Sequence, residues 1–484
     1  MKTNILKKIP FSIIIVGIIF LIVFSSLSIY KHNTFKTGRD LAVHEDQIWN
    51  SLNGKLFYSE DYRANHLAVH FWIFQIFIFP IYKLFPFSQT LMFLHTIIFI
   101  MGGFLLYFIS EKNLNKNISK IIVFIYFINP TIWNVNLGDF EMVSLAFPLL
   151  FLLLLFIEKK QWSGYYFTLI AFLFVQEQVA LITVFLGAYL FLKKNKKEGL
   201  YTIIISIVWF ILVINLIMPF LNQNNIWGEG YGFITIRYIH LGDTFSEVIK
   251  TVLFEPIYAL TTTPLIHKIV YFLIFFIPFA LLPLGTLAII PAIPILIMNG
   301  LSNDFFQMCV TSHHNILLIP ILFFALIKTL NKINTHVLKK RLLVVIIILS
   351  IISSIIFGIL PWIKGFEKVT NIQNIQCFNN ELNFYNQNNH DSQTYSLFLR
   401  TEIKKIPINK SITTTSHIWA HLTHRNISRS TYMYYNQETF DTDFLLFDFS
   451  DLDSLYKPNL SSEAIKSGYT LVWKKESLEL FEKK

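Results

Sequence analysis

The chain has 484 residues, 54% of them hydrophobic and only 14% charged, with a formal net charge of +10. Soluble domains carry roughly 25% charged residues, and the mean hydropathy here is +0.52, so an ordinary soluble enzyme is excluded and a polytopic α-helical membrane protein is expected. The positive excess lies in lysine-rich connectors between apolar runs, which makes it a topology signal; no nucleic acid partner is expected.

The first element is the apolar run 11–30. The basic residues before it resemble a signal-peptide start, but the run is about 20 residues long and lacks a small-residue cleavage site, so it is read as a retained helix. Further runs fall near 89–110, 120–136, 142–157, 163–177, 178–192, 200–220, 268–283, 284–299, 314–330 and 342–362, which gives about eleven transmembrane helices. Several are only about 15 residues long where a full crossing takes roughly 20, so thinned membrane or broken helices are expected. Residues 69–86 are apolar enough to insert; they are read as partly embedded because a crossing there would break the charge alternation.

Lysine-rich connectors at 112–120, 158–160, 193–197 and 328–341 put the N-terminus in the cytoplasm by the positive-inside rule. The first loop (31–88), the 136–141 turn, the tip at 176–178 and the loops 221–266 and 299–314 then face outward. Residues 1–363 form the membrane domain of a cell-membrane protein. From 364 the chain turns polar, and strand-like runs at 411–415, 444–449, 469–473 and 478–481, with a helix-like 418–424, predict a C-terminal soluble α/β domain on the outer side, 364–484. Residues 374–387 read as loop. Cys309 and Cys377 show neither metal-ligand spacing nor a disulfide framework.

The densest chemistry follows the first helix, in Asp40-Leu41-Ala42-Val43-His44-Glu45-Asp46. Carboxylates beside a bilayer are costly to desolvate, which favours a water-facing site over packing. At helical spacing Leu41, Ile48, Trp49, Leu52 and Leu56 share one face, with Glu45, Asp46, Asn50 and Asn53 toward the other, so an interfacial helix lying on the membrane is expected. Asp40 or Asp46 is a candidate general base toward an acceptor hydroxyl, with Glu45 in the same acidic group; capping of the helix accounts for Asp40 equally well.

His66 and His70 stand four residues apart, on one helical face. The pair suits a metal if a carboxylate completes it, but without a His-Glu-x-x-His motif, hydrogen bonding to a phosphate or sugar is the better reading. Asp139 and Glu141 occupy an outer turn, where they complement a helix dipole, orient an acceptor or hold a divalent cation. Glu177 interrupts an apolar stretch, as a functional group or as a hairpin tip reaching the interface. Cations for a phosphate leaving group are available from Arg63, Arg237, His240, His313 and His314. There is no glycine-rich phosphate loop, which disfavours a nucleotide donor.

On these residues the chain resembles domain-of-unknown-function family 2079, bacterial and archaeal membrane proteins regarded as relatives of the GT-C fold glycosyltransferases. The resemblance is carried by Asp40-Leu41, Asp46-Gln47, Trp49-Asn50, His70-Phe71, Pro80-Ile81-Tyr82, Asp139-Phe140-Glu141, Gln176-Glu177-Gln178, and His313 or His314 ahead of Ile319-Pro320. Two features depart from the family pattern: its His-Pro before the second acidic site is shortened, and glutamines replace two charged residues around Glu177. The resemblance implies a GT-C-like fold and transfer of a sugar from a polyprenyl-phosphate donor to a glycan, lipid or protein acceptor, with membrane lipid as partner and a first-loop aspartate as base. Two alternatives stay open. A transporter or flippase of a lipid-linked or anionic solute fits Glu177 and the short spans, and a non-catalytic scaffold fits the glutamines.

Overall fold

The computed structural model describes residues 9–222, 236–358, 389–431, 440–450 and 460–484. Within the described residues, each predicted apolar run is built mainly from α- or 3-10 helix. Among the described residues, however, six helices are long and apolar enough to cross a membrane: Phe11–Asn33 (α1), Ser88–Asn113, Met142–Lys159, Lys196–Leu221, His313–Lys332 and His336–Phe357. Lys116–Phe127 and Pro130–Leu137, bent by 44°, add a seventh if they count as one span. Val179–Leu192, Leu265–Phe279 and Leu287–Leu301 are shorter apolar helices, in line with the short and broken segments expected.

Proline accounts for much of the shortfall. Pro130 lacks an N–H and pushes Asn129 to an extended conformation (ψ 127°), which breaks the pair; the Asn129 side chain then caps the second half at Thr131 N. In the 268–299 region, Pro278, Pro283 and Pro291 lie in single 3-10 turns between helices Leu265–Phe276 and Ile293–Leu301. Residues 69–86 form only the short turns Ile73–Phe77 and Phe79–Leu84, too short to cross.

The long helices share one apolar core, which also takes in Trp419 and Ala420 from the C-terminal part. That part builds a five-stranded sheet whose strands follow in space as Ser428–Ser430 (β4), Ile412–Thr414 (β3), Phe444–Asp448 (β5), Leu478–Lys483 (β7) and Tyr469–Lys475 (β6). A small hairpin, β1 (Tyr58–Ser59) with β2 (Ala64–Asn65), belongs to the first loop. In the large sheet β3 (Ile412–Thr414) runs parallel to β4 (Ser428–Ser430) and β5 (Phe444–Asp448), while β7 (Leu478–Lys483) is antiparallel to β5 and to β6 (Tyr469–Lys475). The expected helix at 418–424 is the single turn Ser416–Trp419. The domain boundary at 364 and the loop 374–387 lie outside the described residues. Cys309 is disulfide-bonded, against expectation; the chain's other cysteine, Cys377, lies outside the described residues.

The first-loop helix, α2 (Arg39–Leu52), corrects a second expectation. It does not lie on a surface: residues 41–48 and Asn50 are all buried. Both flanks are covered, one by the membrane helices and the other by the C-terminal part, where His424 stacks on Trp49 at 4.4 Å. An amphipathic pattern records that a helix has two faces, not what covers the polar one.

Candidate functional site

Helix α2 presents two faces of different character. Asp40 and His44 are one turn apart and point the same way. Asp40 does not cap the helix, because Gly38 is the N-cap residue and makes no side-chain capping bond. Gly38 is also where α2 meets the 138–141 turn: a Cβ there would fall 2.7 Å from Asp139 Oδ2.

Across from Asp40 lie Glu141 and His313, and one ligand-type atom from each of the three comes within 4.8 Å of the others. Glu141 is buried and held from both sides, with His313 Nδ1 3.0 Å from Oε1 and His44 Nε2 3.1 Å from Oε2. Burial alone would raise its pKa; the two histidines hold it well below the usual carboxylate range instead. Asp139 sits alongside, paired with Lys31 Nζ at 3.3 Å.

Asp40 itself is solvent-exposed. The protein packed around it and the neighbouring charges of Glu141 and Asp139, opposed by His313, push its carboxyl up to about 8. Water reaching the side chain offsets part of the burial effect.

The sites around Glu141 and Glu177 adjoin. Glu177 accepts from the backbone N–H of Phe71 at 2.9 Å and lies 3.0 Å from His70 Nδ1. His44, His66 and His70 all contact Trp72, at ring separations of 4.6, 4.9 and 4.8 Å. On the far side Arg237 Nη1 is 3.3 Å from His314 Nε2, and its Nε is 3.6 Å from Asp304. His313 and His314 line a cavity with Tyr238, Gln178, Asn299 and Gln307 at its polar end and Val179, Ile182, Ile295 and Leu317 among its apolar walls.

The structure thus gathers Asp40, Asp139, Glu141, His313, His314, Arg237, His70 and Glu177 around one region. The family described as predicted membrane protein, DUF2079, matches residues 31–480. The chain belongs to this family. No curated protein matches it in sequence. Among solved structures, this DUF2079 chain is similar to ArnT from Cupriavidus metallidurans bound to undecaprenyl phosphate, at 10% identity and a TM-score of 0.54, covering 96% of this chain and 97% of ArnT. The apo state of the same ArnT is matched at 8% identity and a TM-score of 0.49, over 95% and 97% of the two chains. The likeness is one of fold, and the chain is a multi-pass membrane protein.

The remaining candidates lie elsewhere. Glu45 accepts from Tyr82 Oη at 2.6 Å and Ser88 Oγ at 2.6 Å, with His424 Nε2 3.2 Å away. Burial works to raise its pKa, yet His424, Ser88 and Tyr82 together bring it below the ordinary value. Asp46 accepts from Asn50 at 2.9 Å, Ser59 at 3.2 Å and the backbone N–H of Glu60 at 2.9 Å. Both carboxylates are fully enclosed. His66 is buried beside Trp72, Arg63 pairs with Asp441 at 3.1 Å, and His240 packs by the Leu301 backbone near Lys268.

Sequence reasoning did not assign roles to His44, Lys31, Asp61 or His424. The spacing of His44, four residues after Asp40, is the one local signal that pointed to the site. Asp61 accepts from Arg39 at 2.6 Å and from Ser430 N and Oγ at 2.8 Å, tying the first loop to β4; nothing local marks it, because its partner lies 369 residues away.

Proposed function

We propose that this protein is a membrane glycosyltransferase that moves a sugar from a polyprenyl-phosphate donor to an envelope acceptor on the outer face of the membrane. The observation that carries the reading is Asp40: an accessible carboxylate, crowded by two others, beside a cavity with apolar walls and a polar end lined by His313 and His314. The acceptor hydroxyl oxygen attacks the anomeric carbon, and Asp40 takes its proton. The bond from that carbon to the phosphate oxygen breaks, its electron pair leaves with the phosphate, and Arg237 with His314 meets the charge that develops. Glu141, fixed by His44 and His313, keeps its charge next to Asp40 and strengthens it as a base.

Two observations support this assignment over the alternatives. The fold is shared with ArnT, whose structure holds undecaprenyl phosphate. Glu177, the group that most favoured a transporter, is engaged with His70 and the Phe71 backbone rather than presented to a passage. The topology proposed with this assignment has about eleven membrane segments, the N-terminus inside, and the first loop and C-terminal domain outside.

Mass spectrometry of envelope glycans and lipid-linked sugars in a strain lacking the protein tests the reading. Loss of one glycan with accumulation of its polyprenyl-phosphate sugar is the expected outcome. An unchanged profile overturns the transferase assignment.

A further inference from the structure

We propose that the stacked rings of His32 and His421 form an acid-sensitive latch, which holds the C-terminal part against the end of α1 while both rings are neutral and lets go there when one of them takes up a proton. The inference stands apart from the transferase reading and uses none of the groups assigned to it. The two rings lie 4.0 Å apart and 16° from parallel, and the Phe35 ring is also 4.0 Å from His421. His32 is buried, with Nδ1 3.3 Å from Thr37 Oγ1. The Nε2 of His421 is enclosed and, among the described residues, has no hydrogen-bond partner.

Three histidines lie along the segment 417–424, and their partners set one of them apart. His417 Nε2 is 3.2 Å from Asp448, and His424 Nε2 is 3.2 Å from Glu45. A proton taken up by either meets a carboxylate. His421 is placed differently: the charged groups that bear on it most are His32, Arg400 and His417, all of them basic. Arg400 comes from the helix Asn389–Ile403 and donates through Nη2 to the Asn33 carbonyl at the end of α1. On the α1 side Glu45 and Asp139 bear on His32, but Glu45 is taken up by Tyr82, Ser88 and His424, and Asp139 by Lys31. Lys36, the next charged residue along the chain, adds another cation. A positive charge in this enclosed place has no opposite charge to meet, and Phe35 offers it only the face of a ring.

Burial, with the charges of His32, Arg400 and His417, holds His421 well below its ordinary 6.5 while it is docked. Released into water the ring returns to that value, so the undocked form binds the proton more readily. The latch is therefore at full strength above pH 6.5. It weakens as the pH falls below that, by about tenfold in the docking equilibrium for each further unit. The contact of Glu45 with His424 is not lost in this range, because Glu45 is held below its ordinary 4.5. Acid thus frees the α1 end of the contact and leaves the α2 end in place, a pivot rather than a dissociation. His32 follows Lys31, the partner of Asp139, so the latch reaches to within one residue of the candidate site.

The test is hydrogen exchange, read by mass spectrometry, of the full-length protein in lipid nanodiscs at about pH 7.5 and about pH 5.5, with each rate corrected for the intrinsic effect of pH. In the wild type, protection over 31–37 and 418–422 is expected to fall about tenfold between the two. Residues 425–430, held by Asp61 at Ser430, are expected to keep theirs. His421→Phe keeps a ring in the stack and cannot take up a proton, so its protection is expected to be equal at the two pH values. Should that variant fail to fold, as judged by thermal unfolding at the higher pH, His421→Gln replaces it with the same expectation. Wild-type protection unchanged between the two pH values, or a fall that persists in the His421 variant, overturns the latch. A fall that extends equally into β5 and β7 is unfolding of the sheet and overturns it as well.

Discussion

Asp40 and Glu45 stand little more than one turn apart on the same helix, and their surroundings could hardly differ more. Glu45 is closed in by Tyr82, Ser88 and His424, with no path to solvent. Asp40 faces Glu141 and His313 across accessible space. Saturation by fixed donors is what a structural carboxylate needs, because a buried charge is stable only when paired and hydrogen-bonded. A carboxylate left crowded by like charges and reachable by water is arranged for something that arrives later. The two faces of α2 therefore divide labour: one fastens the C-terminal part, the other shapes the candidate site.

Neutralising each face in turn separates the two roles. Asp40→Asn is expected to lower sugar transfer by roughly 100- to 10,000-fold, the range of a lost general base, while the melting temperature stays close to wild type. Glu45→Ala is expected to do the reverse. It strands Tyr82, Ser88 and His424 and costs about 3–5 kcal/mol, as loss of one partner of a buried pair does, read as a lower unfolding temperature and faster hydrogen exchange over 416–430.

Gly38→Ala sharpens the comparison at the junction. The added methyl meets Asp139 at 2.7 Å, so a loss of about 1–3 kcal/mol is expected, visible in thermal unfolding and absent when Asp139→Ala is added. The smallest effect is on pH. The Glu45 carboxyl is held below its ordinary value of 4.5, so its contribution is fully present above that pH and fades as the pH falls further below it. Exchange protection over 416–430 should hold through neutrality and decline only in acid; a decline near neutrality would contradict a docking role for Glu45.

How much of this was legible in the sequence differs by feature. The apolar runs were, because hydropathy needs only composition. Their division into full and partial crossings was not, since Pro130 or Pro291 signals a break without fixing what the flanking residues do next. The strands β3, β5, β6 and β7 were visible from their runs, whereas β4, with the sequence Ser-Arg-Ser, has no apolar alternation to detect. Asp40 and the Asp139–Glu141 turn were legible as acidic groups, but their convergence on His313 is a contact across most of the membrane part.

The error over α2 has the same origin. Periodicity gave its apolar face correctly, and the polar face was assigned to water because the residues that cover it, Trp419 and His424, come more than 360 positions later. His240 and Arg63 were chosen as cations by residue type alone, and the fold puts neither at the site.

The most direct test of the account is complementation of the deletion strain with Asp40→Asn and, separately, Asp46→Asn, each confirmed in the membrane at wild-type level, with lipid-linked sugars read by mass spectrometry. The account predicts that Asp40→Asn leaves the polyprenyl-phosphate sugar accumulated while Asp46→Asn restores its turnover. Restoration by Asp40→Asn would contradict it.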